Sequence, residues 1–178
     1  MQKYKKLDEG NAKMKVIFLD VDGVLNSDEY FEKIRDLEIE GIENEVDVNK
    51  IKLLKKAIEE TGAKVVLSSS WRLTRNGQAL KQLLLQYGIF VDSTPFIKHE
   101  RGKEIKQWLI NNPGVEDFVI LDDEIFESYD DELMKKLIKI SDGNGKNFGE
   151  GLQLKDVEQI IQRLGRKIEK EEKEENER

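Results

Sequence analysis

Two apolar stretches of strand length run directly into aspartates, and this pattern constrains the fold more than any other feature of the chain. Residues 16–19 (VIFL) precede the acidic turn DVDG at 20–23, and residues 118–121 (FVIL) precede Asp122-Asp123. Continuous apolar runs rich in β-branched residues predict strands buried on both faces of a parallel sheet. Because the carboxyl ends of parallel strands lie at one edge of the sheet, we expect these acids to share a cleft there.

Helical patterns alternate with strands along the rest of the chain. Further strands are predicted over 65–67, 89–91 and 137–140, and helices over 49–61, 78–87, 103–110 and from Val157 to Ile168. Asp47 or Asn49 is expected to cap the start of the first of these helices, and Gly62 its end. This alternation predicts an α/β fold with a central parallel sheet.

Length and composition predict one folded domain. A chain of 178 residues with 38% hydrophobic residues is long enough to bury one sizeable core. We expect a flexible polar leader at 1–13, the domain at 14–165, and a charged tail or fraying helix end at 166–178. No window approaches a run of about 18 apolar residues, and the leader lacks an apolar signal segment, so a cytoplasmic protein is expected.

The residue types that are missing exclude whole classes of chemistry. The chain has no cysteine and a single histidine, His99, which removes thiol nucleophiles, zinc ribbons and multi-histidine metal sites. Carboxylates and hydroxyls must therefore carry any chemistry. Carboxylates gathered in one cleft repel one another unless a cation lies among them, and oxygen ligands favour Mg²⁺. The net charge of −7 argues against broad binding along a nucleic-acid duplex.

Hydroxyl and basic residues between the acidic strand ends are candidates for binding phosphate. Ser68 and Ser69 follow a predicted strand and suit either a phosphate seat or a simple capping turn. Arg72 is a candidate phosphate contact or a partner in a surface ion pair. Arg101 and Lys103, near the start of a predicted helix, suit a phosphate counter-charge or an ordinary surface.

Taken in order, four segments resemble the motifs of the haloacid dehalogenase (HAD) superfamily of phosphohydrolases. They are FLDVDGVLN at 18–26, VVLSSSWR at 65–72, RGKEI at 101–105 and VILDDEIFE at 119–127. The resemblance implies a three-layer, Rossmann-like fold with a central parallel sheet. More narrowly, SSSWR, RGKEIKQWL, ILDD and GLQLKDVEQII are similar to the small, cap-poor HAD domains that accompany nucleic-acid repair proteins.

The resemblance also implies a Mg²⁺-dependent phosphomonoesterase that forms an aspartyl-phosphate. Asp20 is then the nucleophile, and Asp22 is the general acid and base. The implied metal site combines Asp20 and the backbone carbonyl of Asp22 with Asp122 and Asp123. The implied phosphate-binding set is Ser68, Ser69, Arg72, Arg101 and Lys103. Ser68 is preferred among the three serines at 68–70, and Arg101 is preferred over Lys98 and Lys103.

The insert between the first two motifs is short, which bears on the substrate. Residues 27–43 provide only about one helix, so we expect a minimal cap and an open cleft. An open cleft favours a bulky substrate, and a 3′-phosphate end of a nucleic acid, or a nucleotide, ranks first. A phosphoprotein or small-metabolite phosphatase is the alternative, as is a non-catalytic phosphoacceptor or binding module. No membrane partner is expected.

Overall fold

The computed structural model describes residues 13–144 and 147–166, and parallel strands form its centre. The strand order is β3-β2-β1-β4-β5, and every neighbouring pair is parallel. This confirms the predicted α/β fold. The strands are β1 (Met14–Leu19), β2 (Lys64–Leu67), β3 (Val91–Ser93), β4 (Val115–Asp122) and β5 (Leu137–Lys139).

Helices connect the strands and cover both faces of the sheet. They are α1 (Asp28–Ile34), α2 (Val48–Thr61), α3 (Arg75–Gln86), α4 (Arg101–Asn111), α5 (Asp131–Lys136) and α6 (Leu154–Leu164), with short 3-10 turns at Ile42–Asn44 and Ser70–Leu73. Asp47 caps α2, since its carboxylate accepts from Asn49 N at 2.9 Å. Residues 1–12, 145–146 and 167–178, and with them Ile168 and most of the predicted leader and tail, lie outside the described residues.

Side chains alternate between the two faces of β1, and each face builds its own apolar core. Ile17 and Leu19 face a core formed with α2, α3 and α6. Val16 and Phe18 face a second core formed with α4 and α5, where Phe18 packs edge-on against Trp108 at 5.5 Å between ring centroids. Two helical layers around one buried sheet confirm the three-layer, Rossmann-like architecture.

The third strand differs in position from its prediction. It begins at Val91 rather than Ile89, because Ile89 N donates to the Leu84 carbonyl at 3.0 Å and Gly88 turns the chain with φ of 74°. Ile89 therefore completes the end of α3 and packs in the core instead of pairing with β2.

The insert after β1 contains only α1 and the turn at Ile42–Asn44. The side-chain oxygen of Ser27 caps α1 by accepting from Tyr30 N at 3.1 Å. In the described part of the chain, no helix combines the length and apolar character needed to cross a bilayer.

A buried ion pair ties α4 to the carboxyl ends of β2 and β3. Arg72 Nη2 lies 2.7 Å from Glu104 Oε2, and the two side chains are 4% and 3% exposed. The Arg72 guanidinium also donates to four backbone carbonyls at 2.8–3.2 Å. These carbonyls belong to Ser68, Ser69, Thr94 and Pro95. Five contacts match the five N–H donors of a guanidinium, so all of them have partners.

We expect Glu104→Gln to lower the free energy of unfolding by about 3–5 kcal/mol, because it leaves the buried Arg72 charge without its counter-charge. Glu59→Gln is the matched control, since the Lys55–Glu59 pair is 42% and 65% exposed, and it should cost about 0.5 kcal/mol or less. Urea unfolding followed by circular dichroism measures both values. Equal losses in the two variants would contradict the structural role of the buried pair.

Candidate active site

The register between β1 and β4 brings the acidic strand ends together. Leu19 pairs with Leu121, and Asp20 N donates to the Leu121 carbonyl at 3.0 Å, which extends the ladder by one residue. Asp20, Asp122 and Asp123 each present a carboxylate oxygen, and these oxygens lie within 4.8 Å of one another. The predicted convergence of the two acidic strand ends is thus present, with Asp20 and Asp122 buried and Asp123 half-buried.

Gly23 allows the loop after β1 to pass under this cluster. Its φ is 70°, a left-handed conformation, and a Cβ at this position would lie 2.1 Å from Asp123 Oδ2. Any side chain at residue 23 would therefore displace the Asp123 carboxylate.

Arg101, the first residue of α4, bridges two of the acids. Its Nη1 lies 3.0 Å from Asp20 Oδ1 and 2.6 Å from Asp122 Oδ2. The Phe126 ring packs against the guanidinium, with 4.2 Å between Cζ and the ring centroid. Tyr129 adds a hydroxyl donor to Asp122 Oδ2 at 3.1 Å. The Arg101 guanidinium is thus fixed between the carboxylates by its ion pairs, by stacking on Phe126 and by its position at the start of α4.

Burial and mutual repulsion perturb the acids. Burial and the charge of Asp122 raise the pKa of Asp20 to about 7, although Arg101 opposes the shift. Burial, with the charges of Asp122 and Glu124, raises the pKa of Asp123 to about 6. Burial also raises the pKa of Asp122. Burial alone would lower the pKa of Arg101, but the charges of Asp20 and Asp122 outweigh it and raise that pKa.

Asp22 is held away from the cluster by two donors. Trp71 Nε1 donates to its Oδ2 at 2.9 Å, and Asn26 Nδ2 donates to its Oδ1 at 3.1 Å. Asn26 is itself fixed, because its Oδ1 accepts from Gly23 N at 2.8 Å and its Nδ2 also reaches the Glu45 carbonyl at 3.0 Å. The two aspartates of the acidic turn therefore occupy different environments.

A family model described as "HAD domain in Swiss Army Knife RNA repair proteins" matches residues 16–157, about four fifths of the chain. The chain belongs to this family. The match contains all four motifs and the acidic cluster. Comparisons with curated proteins and with solved structures found no match.

The donor set of the HAD domain fits a hard cation. Both oxygens of Asp122 already have partners, because Oδ1 accepts from Glu124 N at 3.0 Å and Oδ2 faces Arg101 and Tyr129. Asp20 and Asp123 are thus the carboxylates best placed to bind Mg²⁺, which prefers a few oxygen ligands. The Asp22 side chain lies outside this cluster and accepts from its two donors, whereas the resemblance implies that Asp22 contributes its backbone carbonyl to the metal.

Ser68 and Ser69, which the resemblance implies bind phosphate, follow β2 beside the end of β1, where Ser68 N donates to the Leu19 carbonyl at 2.9 Å. Ser68 is fully buried and its Oγ has no hydrogen-bond partner among the described residues. Ser69 Oγ accepts from Trp71 N at 3.3 Å, and the Ser69 side chain is near enough to Asp20 to lower the pKa of that carboxyl group. A buried hydroxyl without a partner costs free energy unless a ligand satisfies it, which suits the phosphate-binding role predicted for Ser68.

Two predicted phosphate contacts are placed elsewhere. Arg72 has no free N–H for a phosphate, because Glu104 and four carbonyls use all of its donors. The Lys103 side chain is 62% exposed and pairs with Glu100 on the outer face of α4. Arg101 alone of the predicted cations contacts the acidic cluster, since the first residue of α4 points into the cleft and the third does not.

Sequence reasoning missed three residues that organise the HAD site. Trp71 is one of them, because it donates to Asp22. Asn26 and Tyr129 had no assigned role, although each donates to a site carboxylate. Asn26 falls inside the first motif, so its position gave a signal, whereas Tyr129 carries none in the sequence.

We expect Mg²⁺ to raise the melting temperature of the full chain more at about pH 8 than at about pH 5.5. The pKa values of about 7 and 6 for Asp20 and Asp123 exceed the ordinary 3.8, so the folded protein binds these protons more tightly than the unfolded chain does. Stability from these groups is therefore lost as pH rises through that interval, and a cation offsets the loss once both are ionised.

Differential scanning fluorimetry with and without Mg²⁺ measures the effect. Asp123→Asn should remove most of the Mg²⁺-dependent rise, while Asp117→Asn, which changes a half-exposed ion pair with Lys136, should retain it. A rise of the same size at both pH values, or one that persists in Asp123→Asn, would rule out this metal site.

Proposed function

We propose that this HAD domain is a Mg²⁺-dependent phosphomonoesterase that works through an aspartyl-phosphate on Asp20. The observation that carries the proposal is the division of labour between Asp20 and Asp22. Asp20 lies among carboxylates and beside Arg101, whereas Asp22 is oriented by Trp71 and Asn26. Separate environments allow the two carboxyl groups to differ in protonation, and a cation beside Asp20 would favour its ionised, nucleophilic form.

The reaction proceeds in two displacements at phosphorus. The Asp20 carboxylate attacks, the phosphorus–oxygen ester bond breaks, and Asp22 gives its proton to the leaving oxygen. Water then attacks phosphorus while Asp22 takes a proton from it, and the bond between phosphorus and Asp20 breaks. Phosphate is released, Asp20 is again a carboxylate, and Asp22 is again protonated for the next cycle. Ser68 and Ser69 bind the phosphoryl oxygens, and Arg101 neutralises the charge that they carry in the transition state.

Asp20 and Asp123 would hold Mg²⁺, with the Asp22 backbone carbonyl as a third ligand. When bound, the ion supplies positive charge that offsets repulsion between the carboxylates and the phosphate. The elevated pKa values of Asp20 and Asp123 support this part of the proposal, because burial and then the neighbouring carboxylates disfavour the ionised forms that a cation would stabilise.

The 3′-phosphate end of a nucleic acid, and of RNA in particular, is the substrate that we place first. The small insert leaves the cleft without a lid domain, so the substrate itself must exclude water. The family's description refers to RNA repair proteins, which favours an RNA end. A small phosphometabolite or a phosphoprotein ranks second, and a phosphoacceptor module without turnover is less favoured because it needs no positioned acid such as Asp22.

Asp20→Asn should lower hydrolysis of para-nitrophenyl phosphate by about a thousandfold or more, because an amide cannot form the intermediate. Asp117→Asn should remain fully active. A panel of 3′-phosphorylated oligoribonucleotides, free nucleotides and phosphopeptides ranks the substrates by kcat/KM. Activity of Asp20→Asn near that of the wild type would exclude the mechanism, and stable phosphorylation of Asp20 without phosphate release would identify a phosphoacceptor.

Trp71→Phe should lower kcat/KM by about tenfold for a 3′-phosphorylated oligoribonucleotide and by less for para-nitrophenyl phosphate. The substitution removes one hydrogen bond that positions the Asp22 carboxyl group as general acid. Protonation by Asp22 matters more for the basic ribose oxygen that leaves from RNA than for para-nitrophenolate, which leaves readily without a proton. Trp108→Phe is the matched control, since its Nε1 donates to Asp92, a residue outside the site, at 2.8 Å. Equal losses on the two substrates would show that Trp71 does not act through Asp22.

A further inference from the structure

A cavity of about 540 Å³ lies beside Phe126 and has no part in the steps described above. Its wall joins the loop before α4 to the loop after β4. It is lined by His99, Glu100, Lys103, Phe126, Glu127 and Ser128. Phe126 stacks on the Arg101 guanidinium, and Arg101 contacts Asp20 at 3.0 Å, so a single side chain separates the cavity wall from the nucleophile.

The single histidine of the sequence lies on this wall, in a segment with a left-handed backbone conformation. Lys98 and His99 have φ of 48° and 61°, two consecutive non-glycine residues in the left-handed region. Such strain persists only where the surroundings enforce it, and it concentrates at functional sites. Here Glu104 Oε1 accepts from Ile97 N at 2.9 Å and fixes the start of the turn. The exposed His99 ring packs edge-on against Phe96, with 4.8 Å between centroids.

The chemistry of the wall suits a flat, polar aromatic group. His99 and Phe126 offer ring surfaces, and the carboxylates and hydroxyl around them can accept from the donors of a base edge. Lys103 is paired with Glu100, so the wall carries no surplus positive charge for a second phosphate. Cavities of this size hold small molecules.

We infer that this cavity binds the terminal nucleobase of a 3′-phosphorylated RNA strand whose phosphate lies at Asp20. The inference rests on the proposed function and adds a recognition site to it. Stacking on aromatic side chains is tolerant of sequence, so the cavity recognises the presence of a base rather than its identity.

Fluorescence anisotropy tests the inference without turnover. The full chain carrying Asp20→Asn is titrated with a labelled, 3′-phosphorylated oligoribonucleotide and with the same strand lacking its 3′-terminal base. We expect the base to improve affinity by about five- to a hundredfold. His99→Asn, which keeps a residue that tolerates the left-handed backbone but removes the ring, should lower affinity for the intact strand by about fivefold and leave the abasic strand unchanged.

Lys98→Asn is the matched control, because Lys98 shares the left-handed backbone but lies outside the cavity lining. It should change affinity for both strands by the same factor. The inference is overturned if His99→Asn affects both strands equally or neither. Base-dependent binding together with a wild-type chain that does not hydrolyse para-nitrophenyl phosphate would refute the proposed enzyme while retaining the nucleobase site.

Discussion

The salt bridge from Arg101 to Asp20 and Asp122 is the interaction on which the site depends. Three buried or half-buried carboxylates lie close together at the ends of β1 and β4, and the repulsion among them opposes folding. Arg101 lies within 3.0 Å of one and 2.6 Å of another, so it offsets part of that cost. Phe126 and the start of α4 also fix the guanidinium between the two acids.

Two side chains of opposite charge on α4, Arg101 and Glu104, each pack against a different part of the sheet. Arg101 reaches the ends of β1 and β4, whereas Glu104, one turn later, reaches Arg72 after β2. Removing either charge leaves a partner unpaired in a poorly solvated place. The helix is therefore held in one position over the sheet, and the distances within the site follow from that position.

Much of the fold was predictable because it follows from local patterns. The runs at 16–19 and 118–121 predicted the two central strands, and the aspartates after them predicted the cluster. The prediction for the β3 region was wrong by two residues, because a backbone bond to Leu84 outcompetes pairing with β2. The short helix α5 was not predicted, since six residues carry little periodicity.

Side-chain partners were much less predictable than strand ends. Arg72 and Arg101 look equivalent in the sequence, yet one binds carbonyls and Glu104 while the other faces the acids. What separates them is how many acceptors surround each guanidinium after folding, which depends on contacts distant in sequence. For the same reason Trp71 could be predicted to pack, but its bond to Asp22 across 49 positions could not.

The net charge of −7 acquires a more specific meaning once the charges are located. Asp20 and Asp123 are gathered where a divalent ion fits, so part of the negative charge belongs to the site and not to a repulsive surface. Two of the described basic side chains near the cleft already form ion pairs, Arg72 with Glu104 and Lys103 with Glu100. Few basic side chains therefore remain to contact the phosphates of a nucleic-acid backbone. Such contacts provide affinity along a strand and make it depend on salt concentration. This distribution of charge supports the proposal that the cleft binds a strand at its end, through its terminal phosphate and base, rather than along its backbone.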